Sequence, residues 1–275
     1  MTINFIKMHG LKNDFIIIDG RHKKVHLLKN NIKKISSRKK GLGCDQIIIL
    51  EKPRNKKTNV FIKIYNADGS ETYACGNASR CVAFLLMKEF KKKRTVIQTK
   101  AGFLNAALKK NNQISVDIGK AYFKWNQIPL KRKMNTKELN FKISNFDNPF
   151  VLNVGNPHIV FFTKNLKKIN LKKIGPKIEK HPLFPQRINV NFAKITGKNK
   201  ISLKVWERGV GVTKACGTGA SATVVAAIKK KLINDKICYV KMDGGKLKIE
   251  YKINGHIVMT GPVKIIKKGD LEKFL

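Results

Sequence analysis

Two short stretches of the 275-residue chain hold its most reactive residue types in the most suggestive spacing. The first is Ala74-Cys75-Gly76-Asn77-Ala78-Ser79, and the second is Ala215-Cys216-Gly217-Thr218-Gly219-Ala220-Ser221. In each, a cysteine precedes small residues and then an apolar run of helical character, Cys81 to Met87 in one and Ala222 to Ile228 in the other. A thiol at a helix N-terminus lies beside unpaired backbone N–H groups and the positive end of the helix dipole, which favour the thiolate. The same N–H groups hold a carboxylate or phosphate. Each stretch therefore reads as a cysteine beside an anion hole, and two such devices acting together would move a proton. Glycines after cysteine also serve close helix packing, but packing does not account for polar Asn77 and Thr218 at matching positions.

Cys44, Cys81 and Cys238 lack that context and read as small buried hydrophobes. Five cysteines without a C-x-x-C pair argue against a disulfide framework and against a structural zinc site, so reduced thiols and no metal are expected. Taken singly, other polar residues have ordinary explanations. His158 follows Asn156-Pro157 in a turn, where a packing or capping role is usual. Glu207 and Arg208 close an alternating strand before glycines, a place that suits a surface ion pair or a binding site equally. Asn13, Asn66, Asn156 and Asn189 lie in turns or at strand ends, where asparagine is common.

The elements that must position these residues are short and alternate in type. Phe15 to Asp19 reads as the first buried strand, with His9 to Asp14 as a loop before it and a weak helical pattern from Asn31 to Lys39. Strands follow at Ile47–Leu50 and Val60–Tyr65; Asn66-Ala67-Asp68-Gly69-Ser70 is a turn, then comes the first cysteine helix. The second half offers strands at Phe150–Val154, Ile159–Phe162, Asn189–Ala193 and Ile201–Trp206, a short helix from Leu171 to Glu179, and the second cysteine helix. Hairpin strands complete it. Each half thus reads strands, polar turn, Cys-Gly helix, strands. The expected class is α+β, with two similar pseudo-symmetric halves, each a mostly antiparallel sheet around a central helix, and the site in the cleft between them. The expected boundaries are 1–120 for the half carrying Cys75, with the tail 263–275 packing back on it, 121–147 as a crossing segment, and 148–262 for the half carrying Cys216.

A net charge of +41, from 58 Lys and Arg against 17 Asp and Glu, suggests nucleic-acid binding when taken alone. The lysines are spread along the chain rather than clustered among aromatics, and the runs Lys91-Lys92-Lys93-Arg94 and Lys229-Lys230-Lys231 only follow helix ends. No specific nucleic-acid site is expected. No run approaches the roughly 18 apolar residues of a membrane span, and the N-terminal residues from Met1 lack signal-peptide zones. A cytosolic protein is the reading.

Eight segments taken together resemble the diaminopimelate epimerase family over nearly the whole chain. They are His9 to Phe15, Gly43-Cys44-Asp45-Gln46, Asn66 to Glu71, Ala74-Cys75-Gly76-Asn77, Gly155-Asn156-Pro157-His158, Glu207-Arg208-Gly209, Ala215 to Gly219 and Met259-Thr260-Gly261-Pro262. The resemblance implies a cofactor-independent epimerase that interconverts LL- and meso-diaminopimelate in lysine and cell-wall precursor synthesis, commonly as a homodimer. It implies that Cys75 and Cys216 are the acid/base pair, one as thiolate and one as thiol, and that the helix N-termini at Gly76-Asn77 and Gly217-Thr218 bind the α-carboxylate. His158 and Glu207 would tune the cysteines or hold the amino group, while Asn13, Gln46, Asn66, Asn156, Asn189 and Arg208 would line the substrate. Three departures stand out: Lys12 where the family usually has glycine, which would shift the first loop; Ala78-Ser79 for Gly-Ala; and Val212 for a common glutamate near the second cysteine. The rivals are a proline racemase or phenazine-type isomerase of the same fold, and a basic nucleic-acid-binding protein. The cysteine pair, the distal-end residues, and acidic Asp68, Glu71 and Glu207 oppose them.

Overall fold

The computed structural model describes residues 3–73 and 75–274; Met1, Thr2, Leu275 and Ala74, the first residue of the first cysteine stretch, lie outside them. Contacts divide the chain into two units, Met1–Val116 with Gly261–Leu275, and Asp117–Thr260.

The first unit contains β1 (Asn4–Gly10), β2 (Asn13–Asp19), α1 (Lys29–Ser36), β3 (Gln46–Glu51), β4 (Val60–Asn66), β5 (Glu71–Thr72), α2 (Gly76–Glu89), β6 (Arg94–Thr99) and β7 (Gly102–Leu108). Its boundary falls inside β8 (Ile114–Lys120). Strands β1 and β2 pair antiparallel, β2 and β3 parallel, β3 and β4 antiparallel, β4 and β5 antiparallel, β4 and β6 parallel, and β6 and β7 antiparallel.

The second unit contains β9 (Phe150–Asn153), β10 (Pro157–Phe162), α3 (Leu171–Glu179), β11 (Asn189–Gly197), β12 (Lys200–Glu207), β13 (Gly211–Thr213), α4 (Gly217–Lys229), β14 (Ile237–Met242), β15 (Gly245–Tyr251) and β16 (His256–Gly261). Strands β9 and β10 pair antiparallel, β10 and β11 parallel, β11 and β12 antiparallel, β12 and β13 antiparallel, β12 and β14 parallel, and β14 and β15 antiparallel. Element order and pairing sense repeat step for step. That repetition is an internal duplication of a mixed, helix-centred sheet. The C-terminal strand β17 (Lys264–Asp270) belongs to the first unit and pairs antiparallel with β1.

The sequence pattern explains the layers. Phe15-Ile16-Ile17-Ile18 is apolar without alternation because β2 is buried on both faces. Ile16 and Ile18 join Ile32 and Ile35 of α1 and Ile47 and Ile49 of β3 in one core cluster, while α2 lies against β1, β2, β6 and β7. Helix α4 is buried almost throughout, from Gly217 to Ala227, which explains its Ala, Val and Thr composition and weak amphipathic pattern. The segment 121–147, expected to cross between halves, packs onto the second unit, with Ile128, Leu130, Leu139 and Phe141 in its core beside Phe161, Phe184 and Phe192.

One expectation is corrected. His9 to Asp14 is not a loop: His9 and Gly10 end β1, Asn13 and Asp14 start β2, and only Leu11 and Lys12 turn, both at positive φ (58° and 64°). Gly10 faces Asn13 across the hairpin, with Lys12 the second residue of its two-residue turn. Lys12 occupies a left-handed position that glycine fills without strain. The N-terminal strand β1, the C-terminal strand β17 and short β13 escape the sequence reading because charged or polar residues interrupt their alternation.

Candidate active site

In the first unit, Cys75 is the N-cap of α2, in extended conformation, and its sulfur accepts a hydrogen bond from the Ala78 N–H at 3.5 Å. Its carbonyl accepts from the Ser79 backbone N–H and hydroxyl, both at 2.9 Å. Cysteine thus takes the place that Ser, Thr or Asp usually hold, and the helix N–H that a cap oxygen would receive points at sulfur. Cys75 is half-buried. Asn77, at the start of α2, donates to Asn13 Oδ1 at 3.1 Å, and Asn13 donates to Asp45 Oδ2 at 2.7 Å. Gln46 and Asn66 face each other across β3 and β4 and are joined at 2.9 Å. The turn after Asn66 is fixed by Ser70, whose hydroxyl accepts from Asn66 Nδ2 at 3.0 Å, and by Gly69 at φ 84°.

The second unit repeats the device. Cys216 is the N-cap of α4, its sulfur accepts from the Gly219 N–H at 3.3 Å, and the Thr218 hydroxyl lies 3.4 Å away. Here the thiol is only 3% exposed. Burial, followed by the negative charge of Glu207, pushes its pKa well above the ordinary thiol value, so the resting group is a thiol. Thr213 Oγ1 donates to Glu207 Oε1 and holds that carboxylate in place. The other cysteines differ in kind: burial pushes Cys44 up to about 11 and Cys81 up to about 12, with no cap geometry at either.

His158 is fully buried in β10. Asn191 Nδ2 lies 3.1 Å from its Nδ1 and Asn156 Oδ1 lies 2.8 Å from its Nε2. An amide nitrogen can only donate and an amide oxygen only accept, so the proton sits on Nε2 and the ring is neutral. Burial, with Arg208 adding to it, lowers the pKa to about 3. His158 is therefore a fixed dipole near neutral pH rather than a proton carrier.

Asn189 donates to the Pro157 carbonyl at 2.8 Å and accepts from the Arg208 backbone N–H at 3.0 Å, which ties β11 to the end of β12. The Arg208 guanidinium donates to the Gln186 carbonyl. The site residues of each unit are thus grouped: Asn13 with Asn77, Gln46 with Asn66, Asn156 with His158, Asn189 with Arg208, and Glu207 with Cys216.

Sequence reasoning missed three supporting residues. Asn191 orients His158, and its Oδ1 occupies space where a Cβ on Gly219 would come within 2.6 Å. Its signal was its place two residues after Asn189, on the same strand face. Buried Glu179 accepts from Trp206 Nε1 at 2.6 Å and from the Gly209 N–H at 3.0 Å, anchoring both sides of the Glu207-Arg208 corner. Arg80 lies fully buried in α2, with no sequence signal beyond a cation inside an apolar run. Val212 points largely outward at 48% exposure, and Glu207 is the carboxylate acting on Cys216. Among the described residues no group of three or more His, Cys, Asp or Glu is arranged to hold a metal ion.

The sequence model of the family described as Diaminopimelate epimerase matches residues 5–124 and 150–266. The chain is 40% identical over 275 residues to a diaminopimelate epimerase of Rhodospirillum centenum, covering 100% of this chain and 94% of the relative. It is 44% identical over 272 residues to one of Pelagibacter ubique, covering 97% and 98% of the two. Among solved structures, a hydroxyproline epimerase from Agrobacterium vitis matches with a TM-score of 0.70 at 12% identity over 98% of this chain and 92% of that one. A phenazine biosynthesis protein of the PhzF family from Bacillus anthracis matches with a TM-score of 0.69 at 13% identity over 98% and 99%. These two establish the likeness of fold.

Proposed function

From the premise that the chain belongs to the diaminopimelate epimerase family, we propose that it interconverts LL- and meso-diaminopimelate with Cys75 and Cys216 as its two proton-transfer groups. It is an isomerase. The observation that carries the assignment of residues is the repeated cap: in each unit a cysteine sulfur accepts from the N-terminus of a central helix.

The chemistry follows from what each cap stabilises. The Cys75 thiolate takes the α-proton from one face of the substrate, forming an S–H bond as the C–H bond breaks. The electron pair left on carbon spreads into the α-carboxylate. The backbone N–H groups at Gly76-Asn77 and Gly217-Thr218 meet that growing charge, and such preorganised donors are each worth about 10²–10³ in rate. The Cys216 thiol delivers its proton to the opposite face, inverting the centre. The thiolate it becomes is received by the Gly219 N–H and the Thr218 hydroxyl. The reverse reaction starts from that state. Burial and then the charge of Glu207 favour the protonated form of Cys216, and the resting base is assigned to half-buried Cys75. A neutral His158, held by Asn156 and Asn191, contributes a fixed dipole without changing charge.

Asn13, Gln46, Asn66, Asn156, Asn189 and Arg208 are assigned to substrate positioning. The bidentate fork of Arg208 suits a distal carboxylate. We assign the enzyme to the cytosol, since both cysteines must stay reduced, and to a homodimer, as the family resemblance implies. Incubation with LL-diaminopimelate followed by chiral separation should give the meso isomer, and approach from meso should give the same final ratio. Turnover of proline or hydroxyproline with none of diaminopimelate would overturn the substrate assignment.

A further inference from the structure

The two cysteine helices differ five residues after the cap, where α2 carries Arg80 and α4 carries Ser221. Ser221 is buried and neutral, and its hydroxyl donates to the Gly217 carbonyl of its own helix at 2.9 Å. Arg80 is equally buried, but a cation in the opening turns of a helix sits at the end where the dipole opposes it. Helical side chains lean toward the N-terminus, and Arg80 follows that lean: its Nη2 donates to Asn77 Oδ1 at 2.9 Å. Gly10 of β1 leaves room for the guanidinium, since a Cβ there would lie 3.0 Å from Nη2 and 3.5 Å from the Asn77 carbonyl oxygen. The fold thus seats a buried positive charge beside the first turn of α2, the turn that Cys75 caps. Burial lowers the guanidinium pKa to about 10, which leaves it charged at neutral pH, and the thiolates that favour that charge are those of Cys81 and Cys75. Cys81 is a neutral thiol, pushed up to about 12 by burial. Cys75 is the one of the two left to carry the negative charge.

We propose that Arg80 is a positioning residue that favours the thiolate of Cys75 by holding a buried cation at the head of α2, while Ser221 leaves the matching place beside Cys216 uncharged. The inference rests on the role of Cys75 as resting base proposed above and gives the duplicated device its asymmetry. Charged groups on the strands packed against α2 are engaged elsewhere. Lys7 reaches the Leu42 carbonyl and Asp14, Asp14 pairs with Arg38, and His9 accepts from the Lys12 N–H. Asp19 pairs with Arg21, which also holds Glu89 beside Lys88 at the far end of α2, and Arg94 of β6 is exposed. Just before Cys75 in the chain, Glu71 is matched by Lys100.

The test follows alkylation of Cys75 by iodoacetamide across pH, read by peptide mass spectrometry, in wild type, Arg80→Met, Arg80→Gln and Arg80→Lys. Glutamine keeps a donor for Asn77 without the charge, and lysine keeps the charge. Because the thiolate is the reacting form, the inflection of each profile reports how well it is stabilised. Both neutral variants should move the Cys75 inflection up by at least about one pH unit, which slows labelling about tenfold near neutral pH. Arg80→Lys should stay within about half a pH unit of wild type, and the Cys216 profile should stay where it is in all three. Loosened packing would expose the thiol and speed its labelling, so slower labelling with a raised inflection reports the charge. An unmoved inflection in either folded neutral variant, or an equal rise in Arg80→Lys, would overturn the proposal. No substrate enters this measurement, so wild-type protein inactive on diaminopimelate would count against the proposed function and not against Arg80.

Discussion

At the scale of single residues, the two cysteines share a geometry and differ in environment. Both cap a helix through sulfur, but Cys75 is half-buried and Cys216 is sealed beside Glu207. Limited alkylation with iodoacetamide near neutral pH, read by peptide mass spectrometry, should label Cys75 at least about tenfold faster than Cys216. Removing the carboxylate with Glu207→Gln should narrow that gap, because one cause of the raised Cys216 pKa is gone. Faster labelling of Cys216 in wild type would reverse the assignment of resting base and acid. The cysteines were legible in the sequence because the cap requires a recognisable string of small residues after them. Arg80 and Asn191 were not. Arg80 matters through the close approach of Gly10, distant along the chain, and Asn191 through His158, a partner that its spacing from Asn189 does not identify.

At the scale of elements, the chain places its polar residues where strands end and helices begin, so a few anchors decide the geometry. Glu179 of α3 is 3% exposed and holds Trp206 and Gly209 on either side of Glu207-Arg208. Glu179→Ala should cost about 1–2 kcal/mol in chemical denaturation, since it leaves two part-buried donors without their acceptor. It should also raise KM more than it lowers kcat, because the corner carrying Arg208 loses its support. A stability loss without any kinetic change would show that the corner is held by other contacts. The close packing behind it is visible at Gly175, where a Cβ would lie 2.5 Å from the Trp206 ring. The helices α2, α3 and α4 and most strands were readable from periodicity and turn residues. The hairpin of β1 and β2 was not, because its turn has only Leu11 and Lys12, neither a usual turn residue, held at positive φ by the strands on both sides.

At the scale of the whole molecule, duplication and charge are separate matters. Both units build the same order of strands and helices from different residues, and each sets one cysteine at the N-terminus of its central helix. The repeated Cys-Gly stretches made this duplication readable, whereas the parallel pairings at matching places in each sheet depend on long-range register. The net charge of +41 is spread along the sequence, so like-charge repulsion opposes the compact state and is screened by salt. The thermal midpoint should therefore rise by several degrees between low and moderate ionic strength with a weakly interacting salt. A midpoint independent of salt would mean that local ion pairs such as Arg38 with Asp14 and Asp45 already offset the repulsion. The central claim, that two cysteines carry one proton off and another on, is tested most directly by the α-hydrogen itself. LL-diaminopimelate incubated in D₂O with reduced wild-type protein should yield meso product bearing one deuterium at the inverted carbon, and Cys75→Ala and Cys216→Ala should each abolish that product. Meso product formed at the wild-type rate by either variant, or none formed by folded wild type, would contradict the two-cysteine account.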